Sequence, residues 1–321
     1  MEISIIIISW NAREYLRQCL HSIVSQPLPW PYEILVVDNA SSDGSAEMVE
    51  AEFKAVRLIR NPSNQGFAAG NNIAIRECSG RYIALVNSDV KVFPGCMEAL
   101  TAYLATHPRV GNAGPLVLNG DLSVQCSCRK FPGVWNNFCS ASGLAALFPR
   151  ISWLGGEQMH YFAHNRTRNV DALGGCFWMI RRECLEEVGL LDESFFMYGE
   201  DIDWCRRCQD AGWKIAFVPA AQAIHYGGRS SANAPTRMAI AQQESALRYW
   251  KKHHGRAAQY ALRVILCLRH LVRLTAGVCW GALRKTDKSQ REAHMNTRKA
   301  CLHALFDGAR NVDKPLRPSA F

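Results

Sequence analysis

The chain has 321 residues, 48% of them hydrophobic, and a formal charge of +9; that length and apolar content support one large α/β core with extensions. The charge is uneven: residues 229–321 hold 18 Lys/Arg against 5 Asp/Glu, net +13, whereas residues 1–228 hold 19 against 23, net −4. A basic segment alone would admit nucleic-acid binding, but no aromatic–basic platform or groove-reading motif accompanies it, and that class is set aside. The shift places a boundary near residue 230, with a catalytic-type unit over 1–230 and a helical basic extension over 231–321.

"MEISIIIISW" carries a short apolar run with Glu2 ahead of it and no basic n-region, so Ile3 to Ser9 reads as a strand covered on both faces rather than a secretion signal. Leu16, Cys19, Leu20, Ile23 and Val24 then mark one face of a helix. "PLPWP" breaks the chain, "EILVVD" is a second strand, and "SSDGSAEMVEAEF" starts a second helix with capping residues, Asp43 among them. "AVRLIR" is a third strand, "GFAAGNNIAIREC" a third helix and "YIALV" a fourth strand. Repeated β-α units of this length predict parallel strands with right-handed crossovers, a doubly wound sheet.

In such sheets the loops after the strand C-terminal ends gather at one edge, where ligands bind. Those ends read Ser9-Trp10-Asn11, Asp38-Asn39, Arg60-Asn61 and Asn87-Ser88-Asp89. Each is also an ordinary turn composition; four at one edge favour a site. No GxGxxG follows the first strand and no GxxxxGK[ST] occurs anywhere, which removes the dinucleotide and P-loop readings. A phosphorylated ligand here needs another charge partner, and a divalent cation on Asp89 would supply one. Thirteen cysteines without a framework predict reduced thiols in the cytosol, and the CxxC of Cys205 and Cys208 reads as small core residues on a helix.

"SIIIISWNAREYLRQCLHSI", "EILVVDNASSDGS", "NPSNQGFAAGNNIAI", "YIALVNSDV" and "GLLDESFFMYGEDIDWCRRCQDAGWKIAFVP" with "AIHYGG" together resemble the family 2 glycosyltransferases, closest in look to bacterial rhamnosyltransferase-like members. The likeness runs in order from residue 3 to about residue 228. It implies a GT-A fold with a mixed, mainly parallel sheet and an inverting transfer from a nucleotide-diphosphate sugar. By position it implies that Asp38 contacts the nucleotide base, with Ser9 and Asn11 lining the same pocket. Asn64, Gly66 and Asn71 match the segment that closes over nucleotide and sugar. Asn87 and Asp89 stand where the family has its DxD, with Asp89 as the metal-contacting acid and His225 as a late histidine that helps hold the metal. Asp201 matches the general base. The departure is Asn87 in place of the first acid: it keeps a hydrogen-bonding amide and removes one negative charge.

The chemistry asks for the same parts. Inverting transfer needs a base for the acceptor hydroxyl and stabilisation of charge on the departing diphosphate, the task of a hard cation such as Mg²⁺ or Mn²⁺. Simpler readings stand beside these roles: Glu200 and Asp201 as helix-start acids, Asp203 as a cap or a partner of Arg206 or Arg207, and His225 as an edge-strand residue. Residues 120–170 are less patterned and could shape an acceptor groove or a lid. In the tail, Arg256, Arg263, His270 and Arg284 recur at multiples of seven on an apolar background, with Arg273 on the same side and Trp280 nearby. A basic stripe of this kind over 256–285 suits an anionic membrane surface; its longest uncharged stretch is too short to span a bilayer. The expected protein is thus a cytoplasmic transferase, peripheral at the inner face of the membrane. Its donor is a dTDP-sugar, rhamnose first, or alternatively a UDP-sugar, and its acceptor a glycan or polyprenyl-diphosphate-linked sugar in surface-polysaccharide assembly. The non-enzyme alternative is a nucleotide-sugar-binding scaffold.

Overall fold

The structure is a computed structural model that describes residues 1–154, 156–227, 235–281 and 288–307. In chain order the first half contains β1 (Ile3–Ser9), α1 (Arg13–Val24), β2 (Tyr32–Asp38), α2 (Ser45–Glu52), β3 (Arg57–Arg60), α3 (Gly66–Glu77), β4 (Tyr82–Asn87), β5 (Val90–Val92), α4 (Cys96–Thr106) and β6 (Val110–Leu118). It continues through β7 (Cys128–Arg129), α5 (Val134–Ser142), α6 (Leu144–Leu147), β8 (Arg168–Asn169), β9 (Ala172–Leu173), β10 (Phe177–Arg181), α7 (Arg182–Val188), α8 (Glu200–Asp210), β11 (Lys214–His225), α9 (Pro235–Gly281) and α10 (Lys288–Asp307).

The main sheet runs β3-β2-β1-β4-β10-β6-β11-β5, with β8 added on β11. Pairs β3–β2, β2–β1, β1–β4 and β6–β11 are parallel, while β10 lies antiparallel between β4 and β6. The result is the doubly wound sheet expected from the β-α alternation, mixed and mainly parallel as the family resemblance implies. The two-sided burial of β1 follows from its side-chain period of two: Ile3, Ile5 and Ile7 enter one apolar cluster and Ile6 the other. In α1, Leu16, Cys19, Leu20 and Ile23 are buried as their spacing predicts, but Val24, at the helix end, is 39% exposed. Cys205 and Cys208 are buried in the cluster between α8 and the sheet, so their spacing serves packing.

A third cluster joins the C-terminal helices to the rest: Leu247, Trp250, Leu262, Leu266 and Leu305 pack with Phe195 and the partly buried Ile202. The helix α9 breaks at Gly255, whose φ of 81° and ψ of 177° are not helical, and its second arm returns against the first. The basic stripe read over 256–285 is reversed in part. His270 is buried, with its Nε2 2.9 Å from Gln243 Oε1, whereas Tyr260, Val264, Leu268, Leu271 and Val272 are each at least 50% exposed. The side chain of Trp280 and residues 282–285, Arg284 among them, lie outside the described residues.

The polar anchor of this packing is Asp203, fully buried on α8. Its carboxylate lies 3.0 Å from Arg207, 2.8 Å from Lys252 and 2.8 Å from His253, while Arg206 pairs with Asp210. Burial opposes its ionisation, but the hydrogen bonds from His253 and Lys252 and the charge of Arg207 outweigh burial and hold its pKa below the ordinary range. Breaking a buried, hydrogen-bonded ion network by removing one partner costs about 3–5 kcal/mol. Asp203→Ala is therefore expected to lose stability of that order in urea unfolding, whereas Asp210→Ala, in an exposed pair, loses under about 1 kcal/mol; equal losses would contradict the anchoring role.

Candidate active site

The strand ends of β1, β2 and β4 meet the start of α8 around one cavity of about 850 Å³. The register explains why. His225 pairs with Val90 across β5 and β11, so its ring reaches back to Asp89, in the turn between β4 and β5. Asp89 Oδ1 lies 3.2 Å from His225 Nε2, and the Asp89 carbonyl accepts the Tyr226 N–H at 3.0 Å. Across β4, the Asn87 N–H donates to the Cys176 carbonyl at 3.0 Å, which brings Gly174 and Gly175 beside Asn87 and Asp89. The Gly175 N–H in turn donates to Asp201 Oδ2 at 3.2 Å. A Cβ on Gly175 would stand 3.3 Å from the Asp201 Cβ, so the glycine admits a close approach.

Asp89, His225, Asp201, Asn87, Asn64 and Gly66 all line the cavity. Asn64 Oδ1 accepts the Gly66 N–H at 2.9 Å, and Gly66, at φ +85°, faces Phe196 so closely that a Cβ would lie 2.3 Å from the Phe196 carbonyl oxygen. Ser9 and Asp38 sit one residue behind the lining residues Trp10 and Asn39. Both are buried, and Ser9 Oγ and Asp38 Oδ1 have no partner, while Asp38 Oδ2 accepts the Ser41 N–H at 3.0 Å. Two residues are drawn elsewhere. Asn11, at φ 49°, uses its Oδ1 to accept the Ser42 N–H at 2.8 Å, and Asn71 donates its amide to the Phe67 carbonyl one helical turn back at 2.9 Å. Neither lines the cavity. Asp43 caps the start of α2, accepting from Arg13 and Ser45 backbone N–H groups, as its helix-entry reading predicts.

Several lining residues have no counterpart in the sequence reading. Gln125 Oε1 lies 2.7 Å from His225 Nδ1, and its amide nitrogen donates to Asn119 Oδ1 at 2.8 Å, which fixes the amide orientation. With Nδ1–H donating to Gln125, Nε2 is the nitrogen turned toward Asp89. Arg129 has a buried Nε without a partner and stands 3.9 Å from Glu157. Glu200, next to Asp201, is buried with Oε2 unpartnered, and burial followed by the Asp201 charge pushes its pKa well above the carboxylate range. The shift favours the protonated form of Glu200, the direction that lessens like-charge repulsion beside Asp201.

The donor set fits a shared cation. An oxygen from Asp89 and a lone pair from His225 converge on one point, beside the unpartnered Asn87 Oδ1. Among the described residues no group of three His, Cys, Asp or Glu side chains could hold a metal. Such a pair suits Mg²⁺ or Mn²⁺ that completes its shell with substrate phosphates and water, not a cage made wholly of protein.

Residues 4–189 match the model of the family "Glycosyl transferase family 2", and residues 142–289 match that of "Glycosyl transferase family group 2". The chain belongs to glycosyl transferase family 2. It is 29% identical over 284 residues to the N-acetylglucosaminyl-diphospho-decaprenol L-rhamnosyltransferase of Mycobacterium tuberculosis, covering 84% of this chain and 92% of that protein. It is 26% identical over 234 residues to the low-salt glycan biosynthesis hexosyltransferase Agl10 of Haloferax volcanii, covering 70% and 67%. Among solved structures, the mannosyltransferase PcManGT of Pyrobaculum calidifontis, in complex with GDP-Man and Mn²⁺, superposes with a TM-score of 0.54 at 15% identity over 98% of this chain and 88% of that one. TarS of S. aureus with UDP gives 0.51 at 13% identity over 97% and 91%. The fold of this glycosyltransferase is GT-A, with α9 and α10 following the sheet.

Gly66 lets the loop before α3 seat against Phe196, and the Phe67 N–H donates to the same Phe196 carbonyl at 2.8 Å. In Gly66→Ala both the positive φ and the Phe196 contact are violated, an expected loss of at least about 2 kcal/mol in thermal or urea unfolding. Wild-type stability in that variant would show that the contact is not a tight one.

Proposed function

We propose that this glycosyltransferase works by inversion, moving a sugar from a nucleotide-diphosphate donor, dTDP-rhamnose first, to a polyprenyl-diphosphate-linked sugar in surface-polysaccharide assembly. The observation that carries the reading is that Asp201, Asp89 and His225 line one cavity. Asp201 takes the proton of the acceptor hydroxyl as it attacks. Gly175 N–H orients the carboxylate, and the raised pKa of Glu200 lessens the repulsion beside it. Asp89 and His225 hold the divalent cation, with Gln125 keeping the imidazole turned toward it. That cation, when bound, supplies Lewis-acid stabilisation to the leaving diphosphate. Arg129 adds a second positive charge at the cavity wall. The unpartnered Asp38 Oδ1 and Ser9 Oγ support a contact with a nucleotide base behind Trp10 and Asn39. A carboxylate suits the imide N–H shared by thymine and uracil, so dTDP and UDP donors both fit that contact. The 29% identical mycobacterial relative, named for L-rhamnosyl transfer to a diphospho-decaprenol sugar, supports both the donor and the acceptor class.

Residues 1–230 form the catalytic unit in this reading and residues 231–321 a helical extension that rests on an anionic membrane surface. Among the described residues no helix is long and apolar enough to cross a membrane. What supports docking is the exposed row Tyr260, Val264, Leu268 and Leu271, together with the exposed aromatic group of Trp135, Phe138 and Trp153 on and beside α5, which packs against α9. The net charge of +13 over residues 229–321 favours anionic lipid.

Two measurements test these statements. Asp201→Asn should lose transfer by about 10²–10⁴-fold while keeping the thermal shift given by the nucleotide sugar with Mn²⁺. Unchanged turnover would reject Asp201 as base, and a shift indifferent to Mn²⁺ would reject the cation site. In flotation with phosphatidylglycerol vesicles the full chain should rise with the vesicles, and a Leu268→Glu/Leu271→Glu variant should not; equal flotation would reject the exposed row as the docking face.

A further inference from the structure

The cavity that Asp89 and Asp201 line is also walled by Arg269, His270, Arg273 and Arg298, from α9 and α10. His270 is held by a polar seam between the helices. Gln243, on the first arm of α9, lies 2.9 Å from His270 Nε2 on the second arm and donates to the Cys301 carbonyl of α10 at 3.0 Å. Thr236 and Thr297 hydroxyls lie 2.7 Å apart in the same seam. Arg269 and Arg273 are one helical turn apart and continue the inward row begun by the buried Leu262 and Leu266. Arg298 joins them from α10, one turn before Cys301.

Among the described residues none of these three guanidiniums has an acidic partner. Arg269 Nε is buried without a hydrogen bond, and so is Nδ1 of His270, which is 9% exposed. Burial and the charge of Arg298 press the Arg269 pKa down; burial, Arg269 and Arg298 do the same to Arg273. Burial and all three arginines push His270 down to about 4. Elsewhere the chain pairs its clustered arginines: Arg17 with Glu14 and Glu52, Arg60 with Glu47 and Glu50, Arg207 with Asp203. An unpaired cationic group at a cavity wall is costly to keep and is the feature that a multivalent anion would offset.

We infer that Arg269, Arg273 and Arg298 bind the diphosphate of the acceptor, a lipid-linked sugar diphosphate, so that its sugar reaches the Asp201 carboxylate through the shared cavity. This rests on the reading of the chain as a transferase acting on such an acceptor. A diphosphate diester carries two negative charges and several oxygens for the planar forks of three arginines. The donor's diphosphate belongs with Asp89 and His225, which face phosphate only across a cation; the arginines need none. The opposite face of the same helical arm is the exposed apolar row of Tyr260, Val264, Leu268 and Leu271, which places lipid beside the site.

The test uses farnesyl diphosphate as probe, titrated into the full chain by calorimetry without divalent cation. The wild type should bind it, and Arg269→Gln/Arg298→Gln should weaken binding by about tenfold or more, the loss of charge-assisted hydrogen bonds. Arg273→Gln, at an exposed position, should weaken it in the same direction with no disturbance of packing. Thermal unfolding should show the double variant folded, and the Mn²⁺-dependent nucleotide-sugar shift should be unchanged. In kinetics the diphosphate-linked acceptor should show a KM raised by about tenfold with kcat retained, whereas an alkyl glycoside of the same sugar should be used equally by wild type and variant. Farnesyl diphosphate affinity that survives the substitutions overturns the inference. So does a loss that appears equally on phosphatidylglycerol vesicles, which would make the arginines a general headgroup site. A wild-type chain that transfers no sugar would refute the transferase reading and leave the calorimetric result standing as the test of the arginines.

Discussion

The buried carboxylate of Asp203 is the constraint on which the functional half of the molecule depends. A lone carboxylate with no exposure is unfavourable, and here Arg207, Lys252 and His253 all converge on it. Two cations and an imidazole on one acid fix the direction of α8 and the position of the α9 first arm at the same time. The chain then breaks at Gly255, two residues after His253, so the second arm must fold back. Asp201 lies two residues before this anchor, at the start of α8, and is aimed at Gly175. An apolar replacement of the network could match its stability, but would not dictate where both helices point.

The sheet edge shows the complementary feature, polar atoms left without partners. Ser9 Oγ, Asp38 Oδ1, Asn87 Oδ1 and Glu200 Oε2 are buried and unpaired, and all belong to the ends of β1, β2 and β4 or to the start of α8. Most buried polar groups in folded proteins are satisfied, so their gathering at one edge is stability forgone locally. The Asp203 network and the two-sided burial of β1 supply the rigidity that tolerates it. Asp89 and His225 stand at the same edge, a carboxylate oxygen 3.2 Å from an imidazole nitrogen whose ring is held by Gln125.

The parts of this arrangement governed by local period were legible from residue order. The two-sided run Ile3 to Ser9, the helix face of Leu16 and Leu20, and the polar strand ends each follow from side-chain direction along a strand or helix. Asp89 could be picked out because it follows the end of a regular strand, whereas Asp201, the second residue of α8, was picked out through the family resemblance. Arg129, Gln125 and Glu157 were not, because they sit in an irregular segment where no period assigns a side chain to the cavity. Asn71 is the opposite case: its type and position match the family's ligand segment, and its amide donates to a helix carbonyl one turn back. His270 was assigned to the wrong face, whereas Arg256 and Arg273 are exposed. A seven-residue spacing cannot say which side of a helix is inward, and here Gln243 and Leu262, distant in sequence from His270, decide it.

That reversed face carries a physical consequence. The second arm of α9 shows apolar side chains to the outside and holds cations against the cavity, the inverse of the pattern that makes a helix comfortable in water. Exposed apolar area costs roughly 25 cal/mol per Å² relative to cover, and the buried Nε of the partly buried Arg269, without a partner among the described residues, adds to that cost. Sequence alternatives that avoid either cost are simple: Leu268 and Leu271 could be polar, and an acid could sit opposite Arg269. Both costs fall on one helical arm, and one kind of molecule relieves both, an amphiphile with an anionic head beside an apolar chain. The sheet edge, by contrast, offers carboxylates and amides suited to a cation and a nucleotide. The cavity thus joins two surfaces of different chemistry, the carboxylates and amides of the sheet edge and the guanidiniums of α9 and α10, and Asp201 lines it from the helix that Asp203 holds in place.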